Sequence, residues 1–167
     1  RQFWATGRTI THPSSANAAP TPASDGKRVF AFFSSNDLVA LDLDGNLLWY
    51  RGLAIDNPRA GNDVGMSSSP VVIGNTVVVQ VENQANSFAT GIDSSTGETK
   101  WQVDRAPEAN WCSPIAVHGK PPQPDVVLLQ SFDRLTAHDP NTGVEMWMYK
   151  ARCERIPTTA PDGGWLF

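Results

Sequence analysis

The chain has 167 residues, 40% of them apolar, with 13 basic against 17 acidic side chains and a net charge of −4. That is enough to bury an ordinary core, and without a dense Lys/Arg cluster it disfavours a nucleic-acid backbone as partner. No apolar run approaches the ~20 residues of a membrane-spanning helix, and two cysteines, Cys112 and Cys153, are too few for a disulfide framework or a metal cluster.

Residues 1–5 read as a lone strand, because Phe3-Trp4-Ala5 has the form of Leu48-Trp49-Tyr50 and Met146-Trp147-Met148 further on. Arg8 to Ala19, with its Thr, Ser, Asn and Pro, reads as a polar loop. Residues 21–50 then form a first unit. It opens at Thr21-Pro22, turns at Gly26, continues through the β-rich runs Val29–Phe33 and Leu38–Asp42, and closes on a strand carrying Trp49.

The same order recurs over residues 69–103: Ser69-Pro70, Gly74, Val77–Val81, Phe88–Asp93 and Trp101. It recurs again over 113–149: Ser113-Pro114, Gly119, Val126–Gln130, Leu135–Asp139 and Trp147. Pro157 to Phe167 reads as a first strand, a turn at Gly163-Gly164 and the start of a second strand. Trp4, Trp49, Trp101 and Trp147 are spaced 45, 52 and 46 residues apart. Self-similarity of β units at a period in the forties predicts an all-β fold, a β-propeller of four-stranded antiparallel blades. The chain holds about three and a half blades. It begins and ends inside blades, so a longer ring of seven or eight is expected, needing roughly 320–370 residues.

Each tryptophan closes one short pattern. Asp93, Thr96, Gly97 and Trp101 match Asp139, Thr142, Gly143 and Trp147, while Asp42, Gly45 and Trp49 form a copy one residue shorter. The aspartates are expected to accept backbone N–H groups two or three residues on, and the glycines to supply a left-handed backbone. Small Ala40, Gly91 and Ala137 leave room for the indoles, which are expected to fill space between blades. These residues are structural.

These repeats resemble the pyrroloquinoline-quinone-like (quinoprotein) propeller family, whose tryptophan-docking motif has the form Ala-x-Asp-x-x-Thr-Gly-x-x-x-Trp. Ala137, Asp139, Thr142, Gly143 and Trp147 match it fully; the Trp101 copy has Gly91 for Ala, and the Trp49 copy lacks the Thr. A more distant resemblance is to BamB-type outer-membrane assembly lipoproteins. It implies a periplasmic or otherwise exported setting. Quinone-dependent dehydrogenases of the family use an adjacent Cys-Cys disulfide, a facing Trp, Ca2+ ligands and a catalytic Asp. No adjacent cysteine pair occurs here.

Long polar loops on one face of the ring are where binding residues are expected: Arg51–Met66, Asp104–Trp111, Lys150–Ile156 and Glu82–Ser87. The first offers Arg59, Asn62 and Asp63. Glu82 and Asn83, with Asn86, present oxygens of the kind a hard cation takes. Trp111 reads as a stacking platform or, in preference, a plug of the central channel. A bridge between Cys112 and Cys153 is an alternative to two free thiols, both lying shortly before the proline of adjacent repeats. His138 reads as an outward-facing or hydrogen-bonded strand residue, and no His pair has metal-ligand spacing.

A complete structural pattern beside an empty catalytic one favours a non-catalytic binding or scaffold module, with no catalytic residue and no cofactor. Its expected partners are another protein or further copies joined through exposed blade edges. The alternative is a quinone-dependent oxidoreductase fragment, taking pyrroloquinoline quinone and Ca2+.

Overall fold

The structure is a computed structural model and describes residues 2–61, 64–155, 157–162, 165 and 166. Three four-stranded antiparallel sheets follow one another, each a meander in chain order. The first is β1 (Ala23–Ser24), β2 (Arg28–Phe32), β3 (Asp37–Asp42) and β4 (Leu47–Gly52). A four-residue helix, α1 (Leu53–Asp56), lies in the loop that follows. The second is β5 (Val71–Ile73), β6 (Thr76–Val81), β7 (Phe88–Asp93) and β8 (Thr99–Asp104). The third is β9 (Ile115–Val117), β10 (Val126–Ser131), β11 (Arg134–His138) and β12 (Glu145–Lys150). A two-stranded hairpin, β13 (Pro161–Asp162) and β14 (Trp165–Leu166), follows.

The turns form as the pattern requires. Asp93 Oδ1 accepts the N–H groups of Ser95 and Thr96 at 2.8 and 3.0 Å, and Asp139 Oδ1 those of Asn141 and Thr142 at 2.7 and 2.9 Å. The shorter copy does the same, Asp42 Oδ1 accepting Asp44 N and Asn46 N. Gly97 and Gly143 have φ of +77° and +72°, which an L side chain resists. Past each turn the tryptophan pairs across the ladder with the small residue: Ala40 with Trp49, Gly91 with Trp101, Ala137 with Trp147, each followed by a register shift. A Cβ on Gly91 would lie 2.2 Å from the Trp101 ring. The small residue is therefore a steric requirement.

Sheets pack face to face through these rings. Phe30, Phe32 and Trp49 form one apolar cluster with Val77, Val79 and Ile92; Trp101 joins Val78, Val127 and Leu129 in the next. Strand β6 contributes to both, which explains its unbroken Val run and its burial at every position. Along the inner strands, Thr21 N donates to Ser69 Oγ, Ser69 N to Ser113 Oγ and Ser113 N to Thr158 Oγ1, at 2.9, 2.9 and 3.0 Å. The hydroxyls of Ser69 and Ser113, each just before a proline, and of Thr158 thus link one blade to the last.

Trp4 departs from expectation. Residues 2–5 form no strand, and the Trp4 side chain is 84% exposed. Hydrogen bonds to blade side chains hold this segment in place of a ladder. Tyr50 Oη donates to Trp4 O at 2.6 Å, Phe3 stacks on Tyr50, and Thr6 gives its amide and hydroxyl to the buried Asp37 carboxylate. The turn at Gly163-Gly164 and Phe167 lie outside the described residues.

Candidate functional site: the long-loop face

The inter-blade loops and the β6–β7 loop converge on one face. A cleft of about 650 Å³ opens there between the segment after residue 5, the α1 loop and residues 84–85. Thr6, Arg8, Arg59, Gly61 and Gln84 line it. Both arginines are exposed, and neither guanidinium has a hydrogen-bond or ion-pair partner among the described residues. The cleft thus carries two exposed arginines that have no partner among the described residues. Asn62 and Asp63, expected beside Arg59, lie outside the described residues. The loop base is firm: Asn36 Nδ2 donates to Ala60 O at 2.7 Å, and Arg51 bridges Asp56 and Gly97 O.

Glu82 has a different place from the one its sequence context suggested. Its carboxylate is buried between the second and third blades, where Oε1 accepts Arg105 Nε (2.8 Å) and Ser131 Oγ (2.7 Å) and Oε2 accepts Asn110 Nδ2 (2.9 Å). Arg105 reaches on to Thr136 Oγ1 at 3.0 Å and donates to Ser131 Oγ at 2.6 Å. Charge and hydrogen-bond capacity are matched inside this cluster, as a buried ion pair requires.

Asn83 is likewise committed. Its Oδ1 accepts Ala85 N and Asn86 N, and its Nδ2 donates to Asn86 O, so it builds the β6–β7 turn. The Glu82 carboxylate, Asn83 Oδ1 and Asn86 O are taken up by internal hydrogen bonds, so this donor set does not fit a calcium ion of the quinoprotein kind. Among the described residues no three His, Cys, Asp or Glu side chains cluster for a metal.

Trp111 is half-buried and spans two loops, its Nε1 donating to Gly65 O and its amide to Arg155 O, both at 2.9 Å. Hollows of about 330 and 460 Å³ flank it; the larger is also lined by Phe132, Arg152 and Arg155. Both guanidiniums sit over the Phe132 ring, at 5.6 and 4.5 Å. The indole is a strut between loops, with one face left to the hollows.

The cysteines are both free thiols, Cys112 buried and Cys153 half-buried. Burial, with the Glu82 charge, pushes Cys112 up to about 12. His138 is buried and hydrogen-bonded to Gly143 O and Thr136 Oγ1, each at 2.9 Å, and burial lowers its pKa. Sequence reasoning missed Arg8, Arg105 and Gln84. Arg105 carried one legible signal: it follows β8 directly, where a charge beside a strand end calls for a partner.

The comparisons agree with this architecture. The family profile described as outer membrane protein assembly factor BamB matches residues 6–159. A BamB of Kangiella koreensis is 26% identical over 164 residues, covering 95% of this chain and 39% of the relative. BamB from Moraxella catarrhalis superposes with a TM-score of 0.59 at 19% identity, over 83% of this chain and 38% of that one. A quinohemoprotein alcohol dehydrogenase of Pseudomonas putida gives a TM-score of 0.55 at 26% identity, over 78% and 20%. The chain thus spans well under half the length of each. With a match that runs through all three blades, the chain belongs to the BamB-like, PQQ-type repeat family of β-propellers.

Proposed function

We propose that this chain is part of a non-catalytic propeller that binds a protein partner through its long-loop face, as an exported scaffold in outer-membrane protein assembly. The observation that carries the reading is the contrast between two sets of polar groups. Those that would serve cofactor chemistry, Glu82 and Asn83, are consumed by internal hydrogen bonds. Those on the open face, Arg8 and Arg59, line a cleft with no partner among the described residues. The BamB relatives, named as assembly factors, support the same direction.

A second surface contributes to the proposal. Strand β12 is exposed at every position and presents Met146, Trp147, Met148 and Tyr149, an apolar edge strand suited to a further blade, a partner or a second copy.

The test is binding of the parent protein to purified outer-membrane assembly components. Arg59→Glu with Arg8→Glu is expected to weaken it at least tenfold without lowering the melting temperature. Unchanged affinity would remove the long-loop face from the proposal. Fractionation of cells should place the parent in the envelope, and sedimentation of this chain with and without Trp147→Glu reports on self-association.

The dehydrogenase likeness at 26% identity favours a second reading, quinone-dependent oxidation. It requires that pyrroloquinoline quinone and Ca2+ together raise the melting temperature by mass action. No shift at saturating ligand eliminates it.

A further inference from the structure

We propose that Cys112 and Cys153 are a disulfide-forming pair that fastens the segment leaving the third blade to the inner end of that blade. The backbone around them is already laid side by side. Trp111 N donates to Arg155 O at 2.9 Å, which sets residue 111 beside residue 155. Cys112 Sγ lies 3.4 Å from the carbonyl oxygen of Glu154, the immediate neighbour of Cys153, and 3.2 Å from that of Pro157.

The opposite side is anchored by the end of β10. Cys153 N donates to Phe132 O at 2.7 Å, and Gln130 Nε2 reaches both Cys112 Sγ (3.2 Å) and Glu154 O (2.7 Å). Both cysteines therefore contact residues 130–132. A disulfide needs its two Cα atoms within about 7 Å, and the contact of Cys112 Sγ with Glu154 O brings the thiol to the residue adjoining Cys153. The strap that would be tied has its own task. It delivers Thr158 Oγ1 to Ser113 N and Thr159 N to Gln130 Oε1, seating the segment that leads into β13 against the third blade.

The chemistry balances by thiol–disulfide exchange with a low-molecular-weight disulfide such as oxidised glutathione. Cys153, the more accessible thiol, attacks as its thiolate; a mixed disulfide forms and one glutathione thiol leaves. Cys112 then attacks the Cys153 sulfur and expels the second. Two cysteine thiols are oxidised, one glutathione disulfide is reduced, and the two protons leave with the released thiols. Burial raises both cysteine pKa values, so formation is slow near neutrality and quickens with pH. Only the bond's persistence in a cell rests on the exported setting proposed above; its formation rests on geometry.

The experiment equilibrates this chain with an excess of oxidised glutathione at pH 8, alkylates what remains and measures the intact mass. The expected result is a monomer lighter by two hydrogens, unalkylated, whose non-reduced digest joins the Cys112 and Cys153 peptides. Its melting temperature should exceed that of the reduced chain by roughly 5 °C, and Cys153→Ser should abolish the difference. Two alkylatable thiols at equilibrium, a lasting glutathione adduct on Cys153, or a dimer linked through Cys153 would each overturn the proposal. Each result is independent of partner binding, so it leaves the functional reading to its own test.

Discussion

Trp49 of the first blade lies flat against Gly97 of the second: a Cβ on Gly97 would stand 2.8 Å from the indole Cδ2, and Trp49 Nε1 donates to Ser94 O in the same turn at 3.1 Å. Trp101 repeats this on Gly143 and Pro140 O of the third blade. One glycine thus meets two demands at once, a left-handed backbone for its own turn and a bare surface for its neighbour's indole. Arg51 and Arg28 add polar contacts to the same turn, Arg51 Nη1 to Gly97 O and Arg28 to the hydroxyls of Ser94 and Ser95.

Those two demands can be separated by substitution. Gly97→Ala and Gly143→Ala should each cost the positive-φ penalty of about 1 kcal/mol and a further 1–3 kcal/mol for displacing the tryptophan. Gly45→Ala has the same backbone problem at φ +79° but no atom within 4 Å of the new Cβ. It should cost only the first amount. Urea unfolding of the three variants checks this, and equal losses at all three positions would mean the ring contact contributes nothing.

The Glu82–Arg105 pair is the principal electrostatic link between the second and third blades, with side chains 2% and 6% exposed. Removing one partner strands the other charge in a dry site. Arg105→Met is therefore expected to destabilise by roughly 3–5 kcal/mol, and Glu82→Gln by a similar amount. The double variant Glu82→Gln/Arg105→Met should lose less than the sum, because neither charge is then left alone. A strictly additive cycle by denaturant unfolding would show that the two side chains act independently.

The fold was legible because its determinants are local and repeated. Asp93, Gly97 and Trp101 lie within one turn and strand, and a second copy of the same spacing with a third one residue shorter leaves little else for them to do. Trp4 misled because a matching tryptophan was read as a strand, whereas side-chain hydrogen bonds and not a ladder hold its segment. Loop length also pointed to the face on which the cleft opens. The role of Glu82 was not legible: nothing near it in sequence indicates that Arg105, Asn110 and Ser131, 23, 28 and 49 residues away, close around its carboxylate. Long-range neutralisation leaves no periodic trace, and so a buried structural carboxylate resembled a ligand.

His138 gives the blade a pH dependence whose direction follows from its surroundings. Its Nδ1 faces Gly143 O and must carry the proton there, while Nε2 meets the Thr136 hydroxyl that also receives Arg105 Nη1. Burial, aided by the Arg105 charge, lowers the folded pKa below the ordinary value near 6.5. Below that value the unfolded chain binds a proton that the folded chain refuses, so stability is present at higher pH and is lost as pH falls through the window beneath 6.5. The slope contributed by one such group cannot exceed about 1.4 kcal/mol per pH unit. His138→Asn should lower stability at pH 7.5 and flatten this decline. Denaturant unfolding at pH 7.5 and 5.5 should show the native chain losing more stability than the variant over that interval. An equal decline in both would assign the acid sensitivity to other groups.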